Sequence, residues 1–168
     1  SLPSICVIQG YCIGTGFEIA LACDFRLVAE RTRISLPETR LGIVPDVGGT
    51  VRLVNLIGSS RAKEVILTGR TLDLKQAEQW GMINYIVPKA DLMSKATELA
   101  EDLKLSAPMA VNYGKRIIND IAAIQNFSLN ARTNFDYTKL ELLAMTLIKD
   151  VMDIKKTKHS RVKKNKKT

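Results

Sequence analysis

The sequence predicts an α/β fold, and three observations carry that expectation. Short β-branched runs separated by glycine turns fill the front of the chain, and apolar residues at helical spacing fill its back. With 168 residues, 46% of them hydrophobic and 25% charged, the chain has enough apolar material for the core of one domain. Ten glycines, five prolines and three scattered cysteines exclude collagen-like and disulfide-scaffold classes. Every apolar stretch is broken by a charge or a glycine before the about 20 residues that a membrane-spanning helix needs, so no membrane partner is expected.

Residues 5–9, β-branched and bounded by Pro3 and Gly10, read as a buried strand. Gly10, Gly14 and Gly16 then predict a turn, and residues 17–23 a helix. Residues 25–29 and 33–36 read as two further strands, the second closed by Pro37. Residues 41–50 hold too much glycine for regular structure. Helices are expected over residues 51–57, 60–67 and 74–80, each stopped by a glycine at 58, 69 or 81. Residues 84–87, before Pro88, look strand-like, and residues 91–105, 108–124 and 127–154 read as three longer helices. The organisation expected is an α/β core over 1–90, a helical region over 91–154 and a basic, disordered tail over 155–168.

The formal charge of +8 is not spread over the chain. Lys155 to Thr168 carries eight positive residues and no acidic one, so 25 less 8 leaves 17 Lys and Arg to face 17 Asp and Glu in the remainder. A nucleic-acid role would rest on the tail alone, and no aromatic residue interleaves its lysines as a stacking platform, so nucleic acid is not expected as a partner. The single histidine, His159, lies in that tail, which rules out a Ser-His-Asp triad, a Cys-His pair or a histidine-held zinc within the chain; no metal is expected. Cys6, Cys12 and Cys23 form an odd set without Cys-x-x-Cys spacing, read as reduced and buried. Residues 1–20 show no secretory pattern, which points to a cytoplasmic location and leaves an upstream transit peptide open.

Acid and base chemistry must therefore fall to carboxylates. Gly14-Thr15-Gly16 opens a helix, where free main-chain N–H groups and the helix dipole favour an anion or an oxyanion. Glu18 falls in the first turn of that helix, and Glu38 follows Pro37 twenty residues later, a spacing that lets a returning strand bring the two side by side. Paired carboxylates beside oxyanion donors suit proton transfer next to an activated carbonyl. Taken singly, each feature also reads as a tight turn, a helix-start charge or a surface glutamate. A dinucleotide-binding reading fails because Ile19 stands where the third glycine is required.

The ordered set is more specific than its parts. Pro3-Ser-Ile-Cys-Val-Ile-Gln-Gly10, Gly14-x-Gly16-x-Glu18, Ala22-Cys-Asp24, Pro37-Glu38, Leu41-Gly42, Pro45, Gly48-Gly-Thr50, Arg52-Leu53, Gly58, Ala62, Gly69, Ala77 and Gly81 resemble the enoyl-CoA hydratase/isomerase (crotonase) superfamily over about residues 1–115. The resemblance implies a spiral of ββα turns followed by a helical C-terminal region, assembled as a trimer or dimer of trimers. It implies an acyl-CoA substrate, with CoA as part of that substrate and no separate cofactor. By position it implies Glu18 as the group that activates water at the β-carbon, Glu38 as the group that handles the α-carbon proton, the Thr15 N–H as an oxyanion donor, and Gly14 and Gly16 as substrate-binding positions.

The departures are equally specific. Thr15 replaces a usual glycine, Asp46 stands where glycine is common, and Val151-Met-Asp-Ile-Lys155 replaces the usual ending. The resemblance also implies that the first turns of the spiral and the second oxyanion donor precede Pro3. The expected activity is hydration of a 2-enoyl-CoA to a 3-hydroxyacyl-CoA. A double-bond isomerase of the same fold, or a catalytically silent truncated paralogue serving as a structural partner, stays open.

Overall fold

The run behind Pro3 forms a first strand, β1 (Ile5–Ile8), and the largely apolar segment twenty residues on forms β3 (Phe25–Ala29), paired parallel to it from Ile5↔Phe25 to Ile8↔Val28. The computed structural model describes the backbone of residues 2–133 and the side chains of residues 2–123. A third parallel strand, β5 (Tyr85–Val87), completes the sheet in the order β1-β3-β5. Alternate residues face opposite sides. Ile8, Val28 and Ile86 join the main core with Phe17, Leu53 and Val65, whereas Val7, Leu27 and Ala29 face a smaller cluster built on Leu92 and Ala96.

Between Gly10 and Gly14 the expectation of a continuous turn is corrected. Tyr11–Ile13 is a short strand, β2, paired parallel with β4 (Arg33–Ser35) from Tyr11↔Arg33 to Ile13↔Ser35. Three residues give no readable alternation; their structure comes from a partner more than twenty positions away. Strand, strand and helix then repeat in the order β1, β2, α1 (Thr15–Ala22), β3, β4, which is the expected ββα pattern. The helix α1 begins two residues earlier than expected, because Gly14, at φ 58° and ψ −129°, makes the turn in a region that side chains avoid.

The stretch expected to be irregular over 41–50 is partly ordered. Glu38–Leu41 is one 3-10 turn ended by Gly42 at φ 82°, and the next helix, α2 (Gly49–Thr68), already includes Gly49 and Thr50. The two helices expected over 51–57 and 60–67 run together in α2 across a kink at Gly58, φ 78°. A short α3 (Leu74–Gln79), capped by Asp73 accepting from the Gln76 N–H at 2.8 Å, leads to β5. After it come α4 (Leu92–Lys104) and α5 (Pro108–Thr133), and α5 passes unbroken through the gap expected after residue 124. Most of the helix expected over 127–154, and the whole tail 155–168, lie outside the described residues. Ser1–Phe127 forms one compact unit.

All three cysteines are free; Cys12 is buried, while Cys6 and Cys23 are half-buried, so the expectation of burial is corrected for those two. Among the described residues, no helix is long and apolar enough to cross a membrane, and no cluster of His, Cys, Asp and Glu could hold a metal ion.

Candidate active site

The turn from β2 into α1 fixes one side of the site. The Gly14 N–H donates to Ser35 O at 3.0 Å, which extends the β2–β4 ladder, and Gly14 O accepts from the N–H groups of Phe17 at 2.8 Å and Glu18 at 3.0 Å. These bonds use the turn's acceptor and leave the Thr15 and Gly16 N–H groups with no backbone acceptor among the described residues. Both residues are exposed, and a Cβ added at Gly16 would meet nothing within 4 Å, so the helix N-terminus opens onto free space.

Glu18 projects from the first turn of α1 and is 1% exposed. Its Oε2 accepts from the main-chain N–H groups of Val47 at 3.0 Å and Gly49 at 2.7 Å, the second being the first residue of α2. A buried carboxylate is thus satisfied by two donors and a helix N-terminus, both of which favour negative charge. The grip requires glycine: a Cβ on Gly49 would stand 2.5 Å from Glu18 Cγ and 2.6 Å from its Oε2.

Glu38 approaches the same turn from the other side. Its 3-10 turn is tied to the C-terminal end of α2 by Thr39 Oγ1 donating to Ile66 O at 2.8 Å and Arg40 Nε donating to Thr68 O at 2.8 Å. That anchorage packs the Glu38 carboxylate against Gly14, where a Cβ would lie 2.9 Å from Oε1. Its other oxygen, Oε2, is buried without a hydrogen-bond partner among the described residues. An unpaired buried oxygen costs on the order of 1–3 kcal/mol unless a ligand or water supplies a donor. Thr15, Gly14, Gly16, Glu18 and Glu38 therefore all border one turn. Nothing in the sequence marks Val47 and Gly49 as carboxylate donors except the Gly48-Gly49 pair, which carries no sign of its distant partner.

Two neighbouring features lie apart from the carboxylates. Burial, and then the nearby Cys6, push the Cys12 thiol up to about 11, which leaves it a protonated core side chain rather than a nucleophile at neutral pH. A cleft of about 650 Å³ at the C-terminal end of α1, lined by Leu21, Asp24, Arg26, Leu56 and Lys115 among others, touches neither glutamate.

The sequence matches the family model for enoyl-CoA hydratase/isomerase over residues 1–152. A carnitinyl-CoA dehydratase of Salmonella paratyphi B is 44% identical over 115 residues, which cover 68% of this chain and 44% of that protein. The chain thus spans less than half the length of the curated relatives it matches. Among solved structures, an enoyl-CoA hydratase of Bacillus anthracis superposes with a TM-score of 0.68 at 36% identity, covering 88% of this chain and 60% of that one. A protein of Thermobifida fusca YX, described as an enoyl-CoA hydratase and solved in complex with CoA, superposes with a TM-score of 0.62 at 30% identity, covering 90% and 55%.

Proposed function

Because the chain belongs to the enoyl-CoA hydratase/isomerase family, we propose that its site serves the hydration of a 2-enoyl-CoA thioester to a 3-hydroxyacyl-CoA. The observation that supports this reading is the placement of two buried carboxylates around the turn into α1, Glu38 packed on Gly14 and Glu18 rooted in the first helical turn, beside the Thr15 and Gly16 N–H groups. The Thr15 N–H donates to the thioester oxygen as negative charge develops there. Glu18, its Oε2 pinned by Val47 and Gly49, takes a proton from water as the water oxygen bonds to the β-carbon. Glu38, whose Oε2 has no competing donor, delivers a proton to the α-carbon as the enolate collapses. One water is consumed; exchange with solvent returns both carboxyl groups to their starting states.

Apolar side chains beside the gripping turn, Ile43, Val44 and Val47, are exposed by 60%, 63% and 46%, which suits an acyl ligand. On this reading the partner is an acyl-CoA, CoA belongs to the substrate, no separate cofactor takes part, and the working form is a homo-oligomer. The test is the loss of enoyl absorbance with crotonyl-CoA. Glu38→Gln is expected to abolish hydration while acyl-CoA binding stays within a few fold, since the amide keeps the shape and moves no proton. Retention above about a tenth of the parent rate would remove Glu38 from the chemistry, because general acid–base groups contribute on the order of 100-fold or more. Glu18→Gln is expected to suppress hydration to a residual rate; if it spares isomerisation of a 3-enoyl-CoA, the roles of the two carboxylates are separated as proposed.

A further inference from the structure

We infer that Arg52 is a positioning residue for Glu18, acting through the glycine turn that grips the carboxylate; the inference rests on the reading of Glu18 as the group that activates water. Glu18 Oε2 is held by Val47 N–H at 3.0 Å and Gly49 N–H at 2.7 Å, donors on either side of Gly48. Gly48 sits at φ 86°, and neither it nor Gly49 has a side chain to restrain the turn, which leaves this backbone more freedom than any other residue pair would.

The restraint comes from Arg52. Its Nη1 donates to Val47 O at 2.8 Å, while the next carbonyl, Gly48 O, takes only the ordinary helical bond from the Arg52 N–H at 3.2 Å, so the side chain adds a hold on the turn that the backbone does not supply. The guanidinium lies flat against Gly48: a Cβ there would meet Nη1 at 2.7 Å, Cζ at 3.1 Å and Nη2 at 3.3 Å. Gly48 is thereby enclosed between an anion gripped by the N–H groups of its neighbours and a cation gripping the carbonyl before it. Arg52 makes no ion pair among the described residues, so its side chain has the turn as its fixed partner rather than a carboxylate that would hold it elsewhere. Without that strap the two N–H donors drift, and Glu18 loses the orientation of its second oxygen. A displacement of about 1 Å in a reacting group costs on the order of 100-fold in rate.

Two measurements test this on the full chain. Amide hydrogen exchange in Arg52→Gln is expected to speed up at least tenfold at Val47 and Gly49 while the amides of Gly14 and Arg33, in the β2–β4 ladder, keep their rates; Arg52→Lys, which keeps the cation and a donor, is expected to recover part of the protection. In turnover of crotonyl-CoA, Arg52→Gln is expected to lower kcat on the order of 10- to 100-fold with KM within about threefold. In a Glu18→Gln background the same change is expected to cost nothing further. Unchanged exchange at Val47 and Gly49, or an equal loss of kcat with and without Glu18, overturns the inference. Faster exchange in a chain whose parent form shows no turnover sustains the strap and sinks the hydratase reading instead.

Discussion

At the residue scale, the site depends on what is left out. An Ala within a helix ordinarily stabilises relative to Gly, by up to about 1 kcal/mol in the interior and less at the ends. Gly49→Ala is expected to do the reverse, because its Cβ would stand 2.5 Å from Glu18 Cγ and 2.6 Å from Oε2, and Glu18 at 1% exposure has no free volume to retreat into. Overpacking of this kind costs about 1–3 kcal/mol. Urea unfolding of the variant checks it, and a midpoint at or above the parent's would show that the carboxylate moves aside easily. Gly16→Ala, which meets nothing within 4 Å, is the control that separates a clash from a general effect of glycine loss. Glu18 and Glu38 could be picked out as residues from the chain alone, since each stands next to a turn signal. Their hydrogen-bond partners could not: Val47 and Gly49 lie 29 and 31 residues from Glu18, and no local pattern reports such a bond.

At the element scale, α5 is tied to the chain's beginning through one carboxylate. Asp24 Oδ2 accepts from Ser4 N at 2.7 Å, Ser4 Oγ at 2.8 Å and Lys115 Nζ at 2.6 Å, and the same Nζ donates to Leu2 O at 2.8 Å. Burial by itself would push the Asp24 carboxyl up; the donors Lys115 and Ser4 outweigh it and hold the group below the usual carboxylate range. A lowered folded value means stability that is present above the unfolded value, about 3.9, and is lost as the pH falls through the folded one. Asp24→Asn is therefore expected to lower stability at pH 7 by about 1–3 kcal/mol and to flatten the loss of stability below about pH 4. Denaturant midpoints at pH 7 and pH 3 check both. An undiminished acid limb in Asp24→Asn would move its origin to another carboxylate. The elements themselves were legible wherever a run reached four residues, as in β1, β3 and α4. They were not legible at β2, whose three residues owe their extended form to β4, nor at the start of α2, where Gly49 and Thr50 join the helix and Glu18 accepts from the Gly49 N–H.

At the scale of the whole molecule, charge divides the chain more sharply than any change in secondary structure. The eight positive residues from Lys155 to Thr168 equal the whole formal excess of +8. Removing residues 155–168 is expected to bring the formal charge to 0 and to abolish salt-sensitive retention on a polyanion such as heparin, because the salt dependence of such binding scales with the number of cations that displace counterions. Retention that survives the deletion with the same salt slope would place the basic surface on residues 1–154.

What the sequence determined by itself is the family and the ββα order of the front, and it singled out Glu18 and Glu38 as the candidate carboxylates. These are written in short-range terms: glycines at positive φ, β-branched runs, apolar spacing and ordered motifs all act within a few residues of where they stand. What only the tertiary structure decided is the arrangement that makes a site of them. The pairing of β2 with β4, the packing of Glu38 on Gly14, the grip of Val47 and Gly49 on Glu18 and the hold of Arg52 on Gly48 are contacts fixed when the core around Phe17, Leu53 and Val65 closes. Most of them join residues more than twenty positions apart, and their geometry is set by the packing of elements against one another, which no short stretch of the chain contains.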